Sequence, residues 1–279
     1  MAHYDSYQHL AVKVEDGIAL ITMNRPEVLN ATNARLHWEL TQVWRDFDHD
    51  PDARVAVVTG AGRAFSAGGD TTEIEERARM PKAEAFATTV KGMREAGAIV
   101  HNMINCEKPI ISAINGVAVG AGLAVALMAD ISIISEAARL TDGHIRIGVA
   151  AGDHAAAIWP LLCGMAKAKM YLMTSDFIDG KEAERIGLVS RAVPQEQVVP
   201  VAMEYARKLA DGPQMAVRFT KRALNQWLKL GALASFDYSL VLEMLNFHDV
   251  DVEAGIEALK SKSNPQFPSV NSPAGAVHI

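Results

Sequence analysis

Three glycines, Gly116, Gly120 and Gly122, are crowded between two apolar runs, Ile110 to Ile114 and Leu123 to Met128. The first run reads as a buried strand and the second as the start of a core helix, so the cluster is a strand-to-helix turn. Glycine lets such a turn bend tightly and brings backbone close to a ligand. A helix start also presents unpaired N–H groups and a partial positive charge, which suits a developing enolate or alkoxide. The same stretch is apolar enough to be mistaken for a membrane span. Ser112, Asn115, Asp130 and Ser132 interrupt it, and its glycines cluster rather than spread along one face, so a buried strand, turn and helix are expected instead.

A second cluster, Thr59-Gly-Ala-Gly-Arg-Ala-Phe-Ser-Ala-Gly-Gly-Asp70, follows the β-type run Val55 to Thr59. A dinucleotide site would require GxGxxG opening a helix and an acid at a later strand end. Gly60 and Gly62 supply only the first pair, and Met80 to Thr89 is not a strand end. The competing chemistry is an oxyanion hole, in which small residues let a backbone N–H approach a carbonyl oxygen. Taken alone, the cluster also fits a tight turn without a ligand. Donors from both clusters, one near Ala67 and one near Ala121, would make a two-donor hole.

Around these turns the chain alternates. Val12 to Val14 and Ile18 to Met23, separated by Glu15-Asp16-Gly17, predict a hairpin. Leu36, Leu40, Val43, Trp44 and Phe47 recur at helical steps between Asn33 and Phe47, and Ile131 to Ile134 is a further strand. Strands alternating with helices predict an α/β domain over residues 1–195, with ligands at loops on strand ends. Beyond about Gln195 the β signal stops. Val198 to Leu209, Met215 to Leu228, Leu233 to Phe247 and Val252 to Leu259 predict a helical region over 196–262, and the proline-bearing segment 263–279 is expected to be mobile or to lie over a neighbouring subunit.

Composition narrows the function classes. With 279 residues and 49% apolar content the chain can fill a large core. Lys and Arg total 27 against 33 Asp and Glu, a net charge of −6, which excludes the basic excess of a nucleic-acid binder. The N-terminus lacks a basic segment followed by an apolar run, and Cys106 and Cys163 form neither a disulfide framework nor a metal spacing. A cytoplasmic protein is expected, with no metal constellation, no nucleic acid and no membrane among its partners.

Five segments in order resemble the crotonase (enoyl-CoA hydratase/isomerase) superfamily: Met23-Asn-Arg-Pro-Glu-Val-Leu-Asn-Ala31, Ala64-Phe-Ser-Ala-Gly-Gly-Asp70, Lys108 through Gly122, Ala129-Asp-Ile131, and Ala183-Glu-Arg-Ile-Gly-Leu-Val189. The resemblance runs from about residue 10 to 268. It implies a spiral of ββα units, a helical C-terminal region used for trimerisation, trimers or dimers of trimers, and acyl-CoA thioester substrates, with coenzyme A part of the substrate and no separate cofactor. It places the oxyanion donors at Ala67 and Ala121, and Arg25, Val28, Gly68, Asp70 and Gly120 around the substrate. Glycine is common in the family at the second donor position, and alanine keeps the N–H.

The departure lies in the acid/base residues. Where the family's hydratases place two glutamates, this chain has Ala124 and His144. A methyl group moves no proton, so the two-glutamate addition of water is unavailable. His144 titrates near neutrality and can act as base and then acid, and Asp153 is expected to accept a hydrogen bond from its other ring nitrogen. Thr141 through Asp153, followed by Trp159-Pro160, is similar to the 6-oxocamphor hydrolase branch of the superfamily, which implies a His–Asp pair cleaving a carbon–carbon bond between two carbonyls. Blander uses stand beside each residue. Asp153 also suits the cap of a helix from Ala155 to Leu161, Asp142 is a second candidate partner for His144, and His154 is expected exposed or capping. Glu73, Glu75 and Glu76 read as a solvated face with Glu73 at a pocket mouth, Asp70 as a ligand of its own loop, and Trp38, beside His37, as core.

Three functions remain open. The first is an acyl-CoA enzyme with a His–Asp pair in place of the glutamates. The second is a hydrolase of β-diketones that needs no coenzyme A, and the third is a non-catalytic binding member.

Overall fold

In the computed structural model, which describes residues 4–271, the chain opens with the expected hairpin. Strands β1 (Leu10–Glu15) and β2 (Ile18–Met23) pair antiparallel, with Glu15 opposite Ile18 across the two-residue turn. Helix α1 (Ala34–His49) follows, capped by Asn33, whose side chain accepts the Leu36 N–H at 2.9 Å. Its buried stripe is the one the spacing predicts, with Thr41 and Glu39 added. Glu39 is fully buried and accepts the N–H groups of Gln8, His9 and Leu10 at 2.6, 2.9 and 2.9 Å, anchoring the start of β1.

Three ββα turns then form the spiral. The strands β3 (Val55–Gly60), β5 (Ile110–Ile114) and β7 (Ile131–Ser135) enter one sheet, and the shorter β4 (Ala64–Ser66), β6 (Val117–Val119) and β8 (Arg139–Thr141) enter a second. Each pair is followed by helix: α2 (Thr71–Ala78) with α3 (Lys82–Asn105), then α4 (Gly120–Met128), then α5 (His154–Thr174), which is broken at Gly164 by non-helical dihedrals. The strand order is β1-β2-β3-β5-β7-β10 in the first sheet and β4-β6-β8-β9 in the second, with β9 (Ile178–Asp179) antiparallel to β8 and β10 (Arg191–Val193) parallel to β7. The short strands and the 24-residue α3 were not marked by periodicity in the sequence.

Every residue of β3 and β5 is buried, because helices cover both faces of the large sheet. One cover is α1 with α3. The other is α7 (Val198–Ala210), whose Val198, Ala202, Ala206 and Ala210 pack on Val55, Val57, Ile111, Ala113 and Ile133. The C-terminal helices therefore share the core of the α/β part. After α6 (Gly180–Arg185) and α7 come α8 (Gln214–Trp227), α9 (Leu233–Asn246) and α10 (Asp251–Ser261), with a π-helical segment, Leu228–Ala232, joining α8 to α9. Of the segment expected to be mobile, residues up to 271 are described, and Ser269 donates its N–H to Asp251 at 2.9 Å; residues 272–279 lie outside the described residues. Among the described residues no helix is long and apolar enough to cross a membrane.

Candidate active site

The turns that leave the second sheet meet α3, α9 and α10 around a cavity of about 1320 Å³. Ala67, Gly69, Gly120, Ala121, Asp142 and His144 are among the residues on its wall. The two glycine clusters are brought together by lack of side chains: a Cβ at Gly122 would collide with Ser66, and one at Gly68 would come within 3.3 Å of the Val119 carbonyl oxygen.

Helix α4 begins at Gly120, and its N-cap Val119 supplies no side-chain acceptor. The Ala121 N–H therefore makes no hydrogen bond to protein among the described residues and stands at a helix N-terminus beside the cavity. The first loop corrects the sequence expectation. The Ala67 N–H donates to the Leu29 carbonyl at 3.0 Å and is not free for an oxyanion. Leu29 has a left-handed backbone at the end of the turn Pro26–Val28, which carries its carbonyl to that N–H. Further along, Thr32 bridges the loop through Gly68 O at 2.7 Å and the Asp70 N–H at 3.0 Å, and the Gly69 N–H between them has no protein acceptor among the described residues. The available donors are Gly69 and Ala121.

His144 opens a short 3₁₀ turn, His144–Ile147, framed by left-handed Gly143 and Gly148. Its Nδ1 lies 2.9 Å from Asp142 Oδ2, and its Nε2 lies 3.6 Å from Oε1 of Glu243 on α9. Asp142 and Glu243 are almost wholly buried, while His144 keeps a small exposed edge. Asp153 is the partner first expected and Asp142 the second candidate, and the structure places Asp142 on that nitrogen. Asp153 caps α5 by accepting the Ala155 N–H at 3.2 Å, and its Oδ1 lies 2.7 Å from His154 Nδ1. His154 is also displaced from expectation. It is fully buried, with Nδ1 against Asp153 and Nε2 without a hydrogen-bond partner among the described residues. Asp153 nonetheless stays close: one donor atom each from Asp142, His144 and Asp153 falls within 4.8 Å of the others, so a metal-capable group exists where none was expected.

The electrostatics follow from this crowding. Burial opposes charge on His144, but Asp142, Glu243 and Asp153 outweigh it and hold the imidazole well above its ordinary pKa. Burial pushes the Glu243 carboxyl up to about 8, with His144 pulling against the shift and Asp153 and Asp142 adding to it. For Asp153 burial raises, yet His154, His144 and the Ala155 N–H bring its pKa below the usual carboxylate range. A proton-rich His144–Glu243 pair thus faces the cavity.

Glu243 was not found from sequence, although a signal exists. In the apolar helix α9 it lies on the buried stripe of Phe236, Ser239, Leu240 and Met244, and a carboxylate at a core position needs a partner. Its approach depends on Gly152, where a Cβ would collide with the Ser239 carbonyl oxygen and sit 2.7 Å from Glu243 Cβ.

The remaining candidates are mostly structural in placement. Arg25 pairs with Asp70 at 3.2 Å and also bonds the Ala31 carbonyl, Asp70 accepts the Thr72 N–H at 3.1 Å, and Val28 is exposed outside the cavity wall. Glu73 lines the cavity and accepts the Ala34 N–H at 2.7 Å at the start of α1. His37 lines it too, with Nδ1 2.8 Å from Glu95. Trp38, expected in the core, is 39% exposed with the Arg35 guanidinium over its ring. Ala124 is buried in α4 away from the cavity.

The spiral of ββα units, with paired glycine loops at one cavity, is the crotonase architecture. The family model described as enoyl-CoA hydratase/isomerase matches residues 13–270, and the chain belongs to that family. It is 35% identical over 259 residues to the (E)-benzylidenesuccinyl-CoA hydratase of Thauera aromatica, covering 92% of this chain and 98% of that one. Among solved structures it is similar to an enoyl-CoA hydratase/isomerase from Mycobacterium paratuberculosis, with a TM-score of 0.85, 37% identity and coverage of 91% and 99%. It is also similar to a β-diketone hydrolase from the cyanobacterium Anabaena sp. PCC 7120 bound to (S)-3-oxocyclohexyl acetic acid, with a TM-score of 0.80, 27% identity and coverage of 88% and 96%.

Proposed function

We propose that the protein acts on an acyl-CoA thioester by proton transfer next to the thioester carbonyl. The N–H groups of Gly69 and Ala121 hold the carbonyl oxygen as negative charge gathers on it, and His144 moves the proton. Asp142 fixes the imidazole through Nδ1, Glu243 faces Nε2, and Asp153 adds to the field. The observation that carries this reading is His144 bound by Asp142 on the wall of the cavity that holds both unpaired N–H groups. The relatives that act on acyl-CoA, including the benzylidenesuccinyl-CoA hydratase, support the substrate class.

A second reading is hydrolysis of a β-diketone. Water attacks one carbonyl as His144 in its neutral form takes its proton, the carbon–carbon bond breaks to a carboxylic acid and an enolate, and His144 returns the proton to the enolate carbon to give a ketone. Among the described residues, eleven Asp and Glu side chains against five Lys and Arg line the cavity, a poor field for the phosphates of coenzyme A. The similarity to the Anabaena β-diketone hydrolase points the same way.

A panel of acyl-CoA thioesters and β-diketones, assayed with the wild type and His144→Ala, tests both. His144→Ala should lower turnover by roughly 10²–10⁴. Full activity in that variant would exclude His144 as the acid/base group, and turnover of diketones without any thioester would select the second reading.

A further inference from the structure

We propose that Asp142, His144 and Asp153 form a site for one divalent transition-metal ion of the zinc type. Their donor atoms lie within 4.8 Å of one another. Zinc–ligand bonds of roughly 2.0–2.2 Å place neighbouring donors of a tetrahedral site about 3.4 Å apart. His144 Nδ1 and Asp142 Oδ2, at 2.9 Å, already span one edge of such a site, and Asp153 has only a short approach to make.

Orphaned donors around the cluster provide a separate indication. Asp142 Oδ1, Glu243 Oε2 and Nε2 of the fully buried His154 have no hydrogen-bond partner among the described residues, while His154 Nδ1 is taken up by Asp153. Buried polar groups left this way call for a missing partner. Charge gives the same sign. Among the described residues the two aspartates form ion pairs only with histidines, Asp142 with His144 and Asp153 with His154, never with Lys or Arg. A dication would balance the two aspartates with His144 neutral.

The mixed nitrogen and oxygen donors favour a zinc-type ion over magnesium or calcium, which prefer oxygen ligands alone. An ion on Nδ1 displaces the proton shared with Asp142 and leaves Nε2–H to face the Glu243 carboxylate, the outer partner that orients a ligating histidine. It also occupies the proton-transfer group, so loaded and chelated protein would differ in activity. The inference does not rest on the proposed function, because binding is measured without substrate.

The full-length protein, stripped with chelator, is titrated with zinc chloride by calorimetry. One ion per chain is expected, with affinity lowered by at least about 10-fold in Asp142→Asn and in Asp153→Asn. Crystals of the wild type soaked in zinc should show an anomalous peak between the three side chains, a readout that no folding defect disturbs. No binding at millimolar zinc, unchanged affinity in both variants, or peaks only at surface histidines would overturn the proposal.

Discussion

Replacing Gly152 with alanine tests how the chain seats Glu243. The added methyl would collide with the Ser239 carbonyl oxygen and lie 2.7 Å from Glu243 Cβ, both on α9. Carbon atoms in contact rest about 3.5–4.0 Å apart, so α9 must retreat by roughly 1 Å. Overpacking of this kind costs about 1–3 kcal/mol. A displacement of about 1 Å at a working group costs on the order of 10²-fold in turnover. Gly97 on α3 is the control, since a methyl there meets nothing within 4 Å, and Gly97→Ala should be neutral or stabilise by up to about 1 kcal/mol. Urea denaturation gives the stability change, and turnover on whichever thioester or diketone the wild type consumes gives the second number. If Gly152→Ala keeps both wild-type stability and wild-type turnover, the close approach of α9 is not what places Glu243, and the reasoning fails.

Three further outcomes are expected. In metal-free protein, Glu243 has a carboxyl raised from 4.5 to about 8, so its contribution to stability is full below pH 4.5 and is lost as pH rises toward 8. Glu243→Gln should therefore gain on the wild type across that window by a few kcal/mol, roughly the size its shift implies; a gap in urea stability that is constant with pH would contradict this. Glu39→Ala strands the N–H groups of Gln8, His9 and Leu10 at the entry to β1 and should cost about 2–4 kcal/mol by thermal or urea unfolding, whereas a loss near zero would show that water replaces the carboxylate freely. Burial pushes the Cys106 thiol up to about 12, while Cys163 is less deeply buried, so iodoacetamide on native protein should modify Cys163 alone and reach Cys106 only in denaturant, as read by peptide mass spectrometry.

The sequence made the long, strongly patterned elements legible because their patterns are local. Asn33 with the Leu36-to-Phe47 stripe locates α1, and the β3, β5 and β7 runs are continuous because both faces of their sheet are covered. The second sheet escaped notice because its strands are only two or three residues long, too short to show a period. At the site, proximity in space diverged from spacing in sequence. His144 and Asp153 lie nine residues apart and near one another, yet the left-handed Gly143 turns the ring back onto Asp142. Ala67 was misassigned for a similar reason: which N–H in a glycine loop is free depends on acceptors elsewhere, here Leu29 and Thr32, that no local pattern reveals. Glu243, about a hundred residues from His144, was reachable only by asking why a core helix holds a carboxylate.

That distance gives the site a particular place in the life of the chain. Both glycine loops, His144 and Asp142 lie within the first 144 residues to be synthesised, but Glu243 arrives only when α9 has been made and has docked over Gly152. Elements made first can collapse early, whereas this contact closes late. A chain cut short before α9 would hold the oxyanion loops and the histidine without the carboxyl that faces its Nε2. The completed site is thus a record that synthesis ran past α9.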